Sequence, residues 1–186
     1  MRRWALPALM ITLLLCGCAD AAVGRKLDGM QKTLAAAQDI SLTADVTANL
    51  GEERFSCTLQ CVSAPEGFTV EVLAPETVAG VRAKVSDDGA AIEYDDLSLG
   101  VGGLGPDVSP VTALPKLVGA LRSGSTLRDW TEREGERTLL VRESYVTDDC
   151  SVSVWFDAQT LAPVHAEFQR GGSTVIRCDI REFHYK

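Results

Sequence analysis

From residue 41 onward, apolar side chains fall on every second position. In SLTADVTANL (41–50) Leu42, Ala44, Val46, Ala48 and Leu50 are apolar, and the residues between them are polar. RFSCTLQCV repeats the pattern with Phe55, Cys57, Leu59 and Cys61, and GFTVEVLA repeats it with Phe68, Val70 and Val72. A period of two sends alternate side chains to opposite faces of a sheet. Alternation this clean predicts strands with one face buried and one wet, hence an antiparallel sheet. The connectors Gly51-Glu52-Glu53 and Ala64-Pro65-Glu66-Gly67 have turn chemistry.

Shorter strands are predicted at 81–86 and 90–94, joined by the hairpin signal Asp87-Asp88-Gly89. LSLGVGGLGPDVSPV, rich in Gly and Pro, reads as a loop. The strands LRDWTERE, ERTLLVRESY, SVSVWFD, PVHAEFQR and STVIRCDIREFHY finish the chain, with turns at Glu134-Gly135-Glu136 and Gly171-Gly172. Two segments follow a helical period instead. Residues 24–39 carry Leu27, Met30, Leu34 and Ala37 on one stripe. Residues 112–124 carry Leu114, Leu117, Val118 and Leu121, with Gly124 at the end. The fold class is therefore α+β: a large, mostly antiparallel sheet covered by an N-terminal and a mid-chain helix. So wide a sheet should curl. Its concave face is then either filled by the two helices or left partly open.

The first residues carry a different signal. Met1-Arg2-Arg3 is followed by the uncharged run WALPALMITLLL, the shape of a secretory signal. The run is shorter than the ~20 residues a membrane span needs. It ends Leu15-Cys16-Gly17-Cys18, which resembles the bacterial lipobox, with Gly17 small at −1 and Leu15 at −3 of Cys18. Cys16 fits less well, and as the −2 residue it departs from the usual Ala or Ser. The resemblance implies cleavage after residue 17 and acylation of Cys18. It divides the chain into a signal (1–17), an anchor and short tether (18–23) and a domain (24–186). Two or more acyl tails hold a protein stably on a membrane. The expected location is the extracytoplasmic face of the cell membrane, with the membrane as a partner through Cys18.

The chain has formal charge −8, and removing the signal brings it to about −10. An acidic body argues against nucleic acid, which rewards basic patches. It argues equally against the body lying on anionic lipid. Beyond Cys18 four cysteines remain, Cys57, Cys61, Cys150 and Cys178, all on apolar phases. Cys57 and Cys61 would lie ~13 Å apart along a strand, too far to bridge. The four are buried small hydrophobes, or Cys150 and Cys178 form a cross-strand pair. Metal ligation is not expected, since no Cys-x-x-Cys occurs and both histidines lie elsewhere.

With helix, strands, loop, helix and strands in this order, the chain resembles the LolA/LolB-like superfamily of lipoprotein carriers and lipid-anchored envelope proteins. The resemblance rests on the N-terminal helix leading into long strands and on FTVEVLAPETVAGVRAKVSDDGAAIEYDDLSLGV. It rests also on VSPVTALPKLVGALRSG and on the closing SVSVWFDAQTLAPVHAEFQRGGSTVIRCDIREF. It implies a half-barrel closed by helices and a concave apolar face for an apolar ligand or lipidated partner. Val46, Phe55, Leu59, Phe68, Val70, Val72, Val152, Val154 and Phe156 are the candidate lining. The alternative is that the helices fill that face and these residues are ordinary core. The phrase SPVTALPKLVGALRSG is also similar to lipoproteins of endospore-forming bacteria. That implies a second role, as partner or stabiliser of a cortex-processing amidase or other cell-wall hydrolase in germination.

Other motifs are weaker. Gly100-Val101-Gly102-Gly103-Leu104-Gly105 matches GxGxxG, but Pro106 and Pro110 follow where the dinucleotide motif needs a helix. No cofactor is expected. His165 and His184 fall on wet strand phases, so neither is expected to serve as a catalytic base. The acid pairs Asp87-Asp88, Asp95-Asp96 and Asp148-Asp149 lack the alternating oxygens of a calcium loop. Trp130 and Trp155 are the candidate partner surface, because Trp155 sits on the wet phase and exposed tryptophans anchor interfaces. The expected protein is non-enzymatic and acts by binding.

Overall fold

The computed structural model describes residues 5–50, 53–64, 66–86, 89–94, 97–102 and 108–186. Helix α1 (Ala5–Ala36) leads into β1 (Ile40–Leu50), β2 (Glu53–Ala64), β3 (Gly67–Ala74), β4 (Arg82–Ser86), β5 (Gly89–Tyr94) and β6 (Leu97–Gly102). Helix α2 (Pro110–Ser123) follows, and β7 (Thr126–Glu134), β8 (Arg137–Thr147), β9 (Cys150–Asp157), β10 (Pro163–Arg170) and β11 (Ser173–Tyr185) complete the chain. The strands form one sheet in the order β6-β5-β4-β3-β2-β1-β11-β10-β9-β8-β7. Every neighbouring pair is antiparallel. The chain thus starts at the centre of the sheet, meanders to one edge, crosses through α2 to the other edge and returns. Its first and last strands meet in the middle, Ile40 opposite Tyr185 and Val46 opposite Cys178. This is the antiparallel sheet that the alternation predicts, in the open, curved α+β half-barrel that the resemblance implies.

Both helices lie on the apolar face. Leu27, Met30 and Leu34 of α1 and Leu114, Leu117, Val118 and Leu121 of α2 join one buried cluster with Leu42, Val46, Leu59, Val152, Phe156 and Phe168 of the sheet. Burying a leucine contributes about 1.5–3 kcal/mol. The four fully covered leucines of the helices therefore hold them to the sheet far more firmly than helix propensity would.

Three local features differ from the sequence reading. Residues 97–102 lie within the predicted loop but form edge strand β6, with Ile92 opposite Leu99. The glycines obscured a strand short enough to be held by one neighbour. Helix α1 runs through residues 18–23, expected as a tether, because the alanine-rich segment ADAAV contains no helix breaker. It stops at Ala36, where Arg122 of α2 donates to the carbonyls of Ala37 (3.0 Å) and Gln38 (3.4 Å) and takes over the helix end. Helix α2 starts at Pro110 rather than residue 112, because Ser109 and Thr112 form a reciprocal cap (Ser109 N to Thr112 Oγ1, 2.8 Å). The turns at Gly51-Glu52, Pro65, Asp87-Asp88 and Asp95-Asp96 lie outside the described residues.

Cys57, Cys61, Cys150 and Cys178 are free and buried. The Cys150–Cys178 pair does not form. Cys178 stands opposite Ala166 on β10 and Cys150 opposite Arg170, two strands away and four residues along. Burial pushes the Cys57 thiol up to about 11 and the Cys61 thiol up to about 12. Cys178, the most deeply enclosed, is raised further still.

Candidate functional site

Strand periodicity and helix placement together distribute the candidate lining residues. Val46, Leu59, Val70, Val152, Val154 and Phe156 are buried beneath the helices. Phe68 and Val72 are partly buried against the same cluster. Phe55 has the inward phase, opposite Ala48, but it is 42% exposed. Between the helices and strands β8 and β9 only about 20 Å³ remains, edged by Leu27, Met30, Leu121 and Phe156. That is room for one water molecule. The middle of the concave face is therefore packed core.

The open end of the half-barrel is different. A recess of about 580 Å³ lies where β3, β4 and β5 begin or end, lined by Ala64, Phe68, Val85, Ala90 and Ala91, with Glu66, Lys84 and Ser86 at its edge. Phe68, Val85 and Ala90 face one another across the ladder. Gly67 sits here at φ 135°, and a Cβ on it would lie 2.2 Å from the Val85 carbonyl oxygen. Only glycine permits this close approach of β3 to β4.

Arg142 was not legible as a special residue. It points from β8 into the helix face and is nearly enclosed. Its Nε and Nη2 donate to the two oxygens of Asp129 on β7, both at 2.8 Å. Nη2 also donates to Asp28 of α1 (2.7 Å), and Nη1 to Gln31 (3.1 Å). Burial works against the charge, but the bonds to Asp129 and Asp28 outweigh it and hold the Arg142 pKa above its ordinary value. The cluster bolts α1 to the edge of the sheet. In LLVR the apolar run hides which phase is inward, so only the acids on neighbouring elements could have indicated the placement.

On the convex face Trp130, Val141, Trp155, His165 and Asp179 stand in one row across β7 to β11. Both indole N–H groups donate to Glu132, Trp130 to Oε1 and Trp155 to Oε2, each at 2.7 Å. The two rings are thereby joined by one carboxylate, and Val141 in the strand between them is fully buried. The guanidinium of Arg128 lies 4.7 Å over Trp130, and His165 packs 5.0 Å from Trp155. His165 places Nδ1 2.7 Å from Asp179 and Nε2 3.3 Å from Glu167. Beside Trp155 an open groove of about 410 Å³ runs over Leu139, Val164 and Arg137.

The remaining sequence candidates are dispersed. His184 is exposed on β11 opposite Ser41. Gly100 and Gly102 pair with Ala91 and Ala90 on an antiparallel edge, and Gly103–Gly105 lie outside the described residues. Asp149 accepts from Thr147 and pairs with Arg170. Among the described residues no three His, Cys, Asp or Glu side chains gather as a metal site. No helix among them is long and apolar enough to cross a membrane. Cys18 falls within the span of α1, and its side chain is outside the described ones.

A DUF1329 family protein from Desulfovibrio piger superposes with a TM-score of 0.53 at 14% identity, over 88% of this chain and 92% of that one. The two chains share a fold. Two further similar structures are a LolA superfamily protein from Nitrosomonas europaea and the complex of the CwlD amidase with the GerS lipoprotein from Clostridioides difficile. The first has a TM-score of 0.43 and 12% identity, over 90% of this chain and 94% of that one. The second has a TM-score of 0.43 and 13% identity, over 88% and 95%. No family model matches the chain, and neither does any curated protein sequence.

Proposed function

We propose that this chain is a lipoprotein held through acylated Cys18 on the extracytoplasmic face of the cell membrane, and that its half-barrel acts by binding rather than catalysis. The ligand is apolar, an acyl chain or a lipidated partner, and it enters at the open end between β3 and β5. The observation that carries this reading is the contrast between the filled concave centre and the 580 Å³ recess floored by Phe68, Val85 and Ala90. Native mass spectrometry of the purified lipoprotein tests it. A bound lipid is expected in the wild type and is lost in Val85→Trp, which fills the recess. A wild-type protein that emerges empty and takes up no lipid overturns it. The anchor is tested separately: Cys18→Ala should move the protein out of the membrane fraction, and retention there refutes acylation.

A second reading is favoured by the Glu132-bridged tryptophans. In it the convex face binds a protein, such as a cell-wall hydrolase. Co-purification of a hydrolase that survives Val85→Trp but is lost on Trp155→Ala supports this reading. Loss in the reverse order supports the first.

A further inference from the structure

We infer that the outward face of α1 lies against anionic lipid headgroups and sets the orientation of the domain on the membrane. The inference rests on the anchor reading above. The inward stripe of α1 is Val23, Leu27, Met30 and Leu34, all buried. On the opposite side the backbone positions 18, 25 and 32 recur at intervals of seven, which on an α-helix is nearly two full turns. The acylated residue and two cations, Arg25 and Lys32, therefore share one stripe. Lys26 stands about a quarter-turn round the helix from it, and all three cations are exposed.

Charge makes the same point. The whole chain is acidic, at −8. On this helix, however, Asp28, although 57% exposed, is bonded to Arg142. Among the described residues Arg25, Lys26 and Lys32 have no ion-pair partner. An acidic protein thus presents three unneutralised cations beside its lipid anchor. Cations at the surface of an anionic leaflet add to the hold of acyl chains. Residues 18 to 23 rise only ~8 Å as helix, so the anchor leaves the domain little room to swing away. The acidity of the body does not prevent contact with anionic lipid, because on the described outward side of α1 Arg25, Lys26 and Lys32 outnumber the one acid, Asp28, which is itself bonded to Arg142.

The orientation that follows puts the helices toward the membrane and the convex row of Trp130 and Trp155 toward the aqueous side. A label test uses the buried thiols to advantage, since only introduced cysteines will react. Gly29 lies on the outward stripe, and a Cβ there meets nothing within 4 Å, so Gly29→Cys fits without strain. Ser56→Cys marks the convex face. Each nitroxide-labelled, acylated full protein is placed on vesicles of phosphatidylcholine with phosphatidylglycerol, carrying a headgroup-bound nickel chelate. Strong relaxation at position 29 and little at 56 is expected. Arg25→Glu, Lys26→Glu and Lys32→Glu should each weaken the effect at 29, by roughly fivefold for each cation removed. All of these variants should still float with the vesicles.

Equal relaxation at 29 and 56, or an effect unchanged by charge reversal or by pure phosphatidylcholine, overturns the orientation. Failure of the unaltered protein to float overturns the anchor itself, a separate result.

Discussion

Removing the Arg142 guanidinium would leave Asp129, whose side chain is 12% exposed, as a carboxylate without its bidentate partner. Losing one half of a buried pair costs about 3–5 kcal/mol. Arg142→Ala is expected to lower the unfolding free energy by that amount in urea titrations. Asp28→Asn, on the solvent side of the same cluster, should cost about 1 kcal/mol or less. The thiols give a second expectation at this scale. With Cys57 at about 11, Cys61 at about 12 and Cys178 higher, almost no thiolate exists near neutral pH. In a Cys16→Ala, Cys18→Ala double variant a disulfide-exchange reagent at pH 8 should leave these buried thiols unmodified until the protein unfolds. Rapid labelling of the native protein would show that the sheet opens locally. Individual side chains were the hardest level to read from sequence. Alternation placed Trp155 on the wet face correctly, yet nothing in the string shows that Glu132 on another strand would take its indole N–H.

At the level of elements, strand phase was legible because a buried face tolerates no slip of one residue. The long alternating runs of β1, β2 and β3 all appear with the predicted phase. Edges were less legible. β6 has a neighbour on one side only, and although Leu97, Leu99 and Val101 alternate, Gly100 and Gly102 gave the run the composition of a loop. Helix limits were likewise decided by groups far away in sequence, such as Arg122 on the end of α1. The cap of α2 is local and can be tested locally. Ser109→Ala removes the acceptor for Thr112 N and should cost about 1 kcal/mol, visible as a lowered melting temperature with the fold intact. The space between the elements was not readable at all. Whether two helices fill a curved sheet depends on side-chain volumes summed across the whole core.

Across the whole molecule, the convex surface ties its strands with charge. Burial pulls the Glu167 carboxyl upward, but bonds from His165 and Thr174 and the charge of Arg177 prevail and hold it below the ordinary glutamate range. Backbone N–H groups of Thr160 and Gln159 hold Asp157 below the usual aspartate range. Thr147 and Arg170 do the same for Asp149. A carboxyl with a lowered folded pKa contributes stability above its unfolded value, and loses it as pH falls through the folded one. Thermal melts should therefore be steady near neutrality and decline below about pH 4–5, and Glu167→Gln should flatten that decline. The pairing of β1 with β11 has a consequence in time as well as space. Residues 51–172 separate these two strands, so a chain produced from its N-terminus must hold β1 with an unpaired edge until β11 arrives. Each wing of the meander can form hairpins from near neighbours, but the seam joining the wings closes only after the longest loop has been gathered in. A late-closing seam makes β11 the latch that joins the two wings.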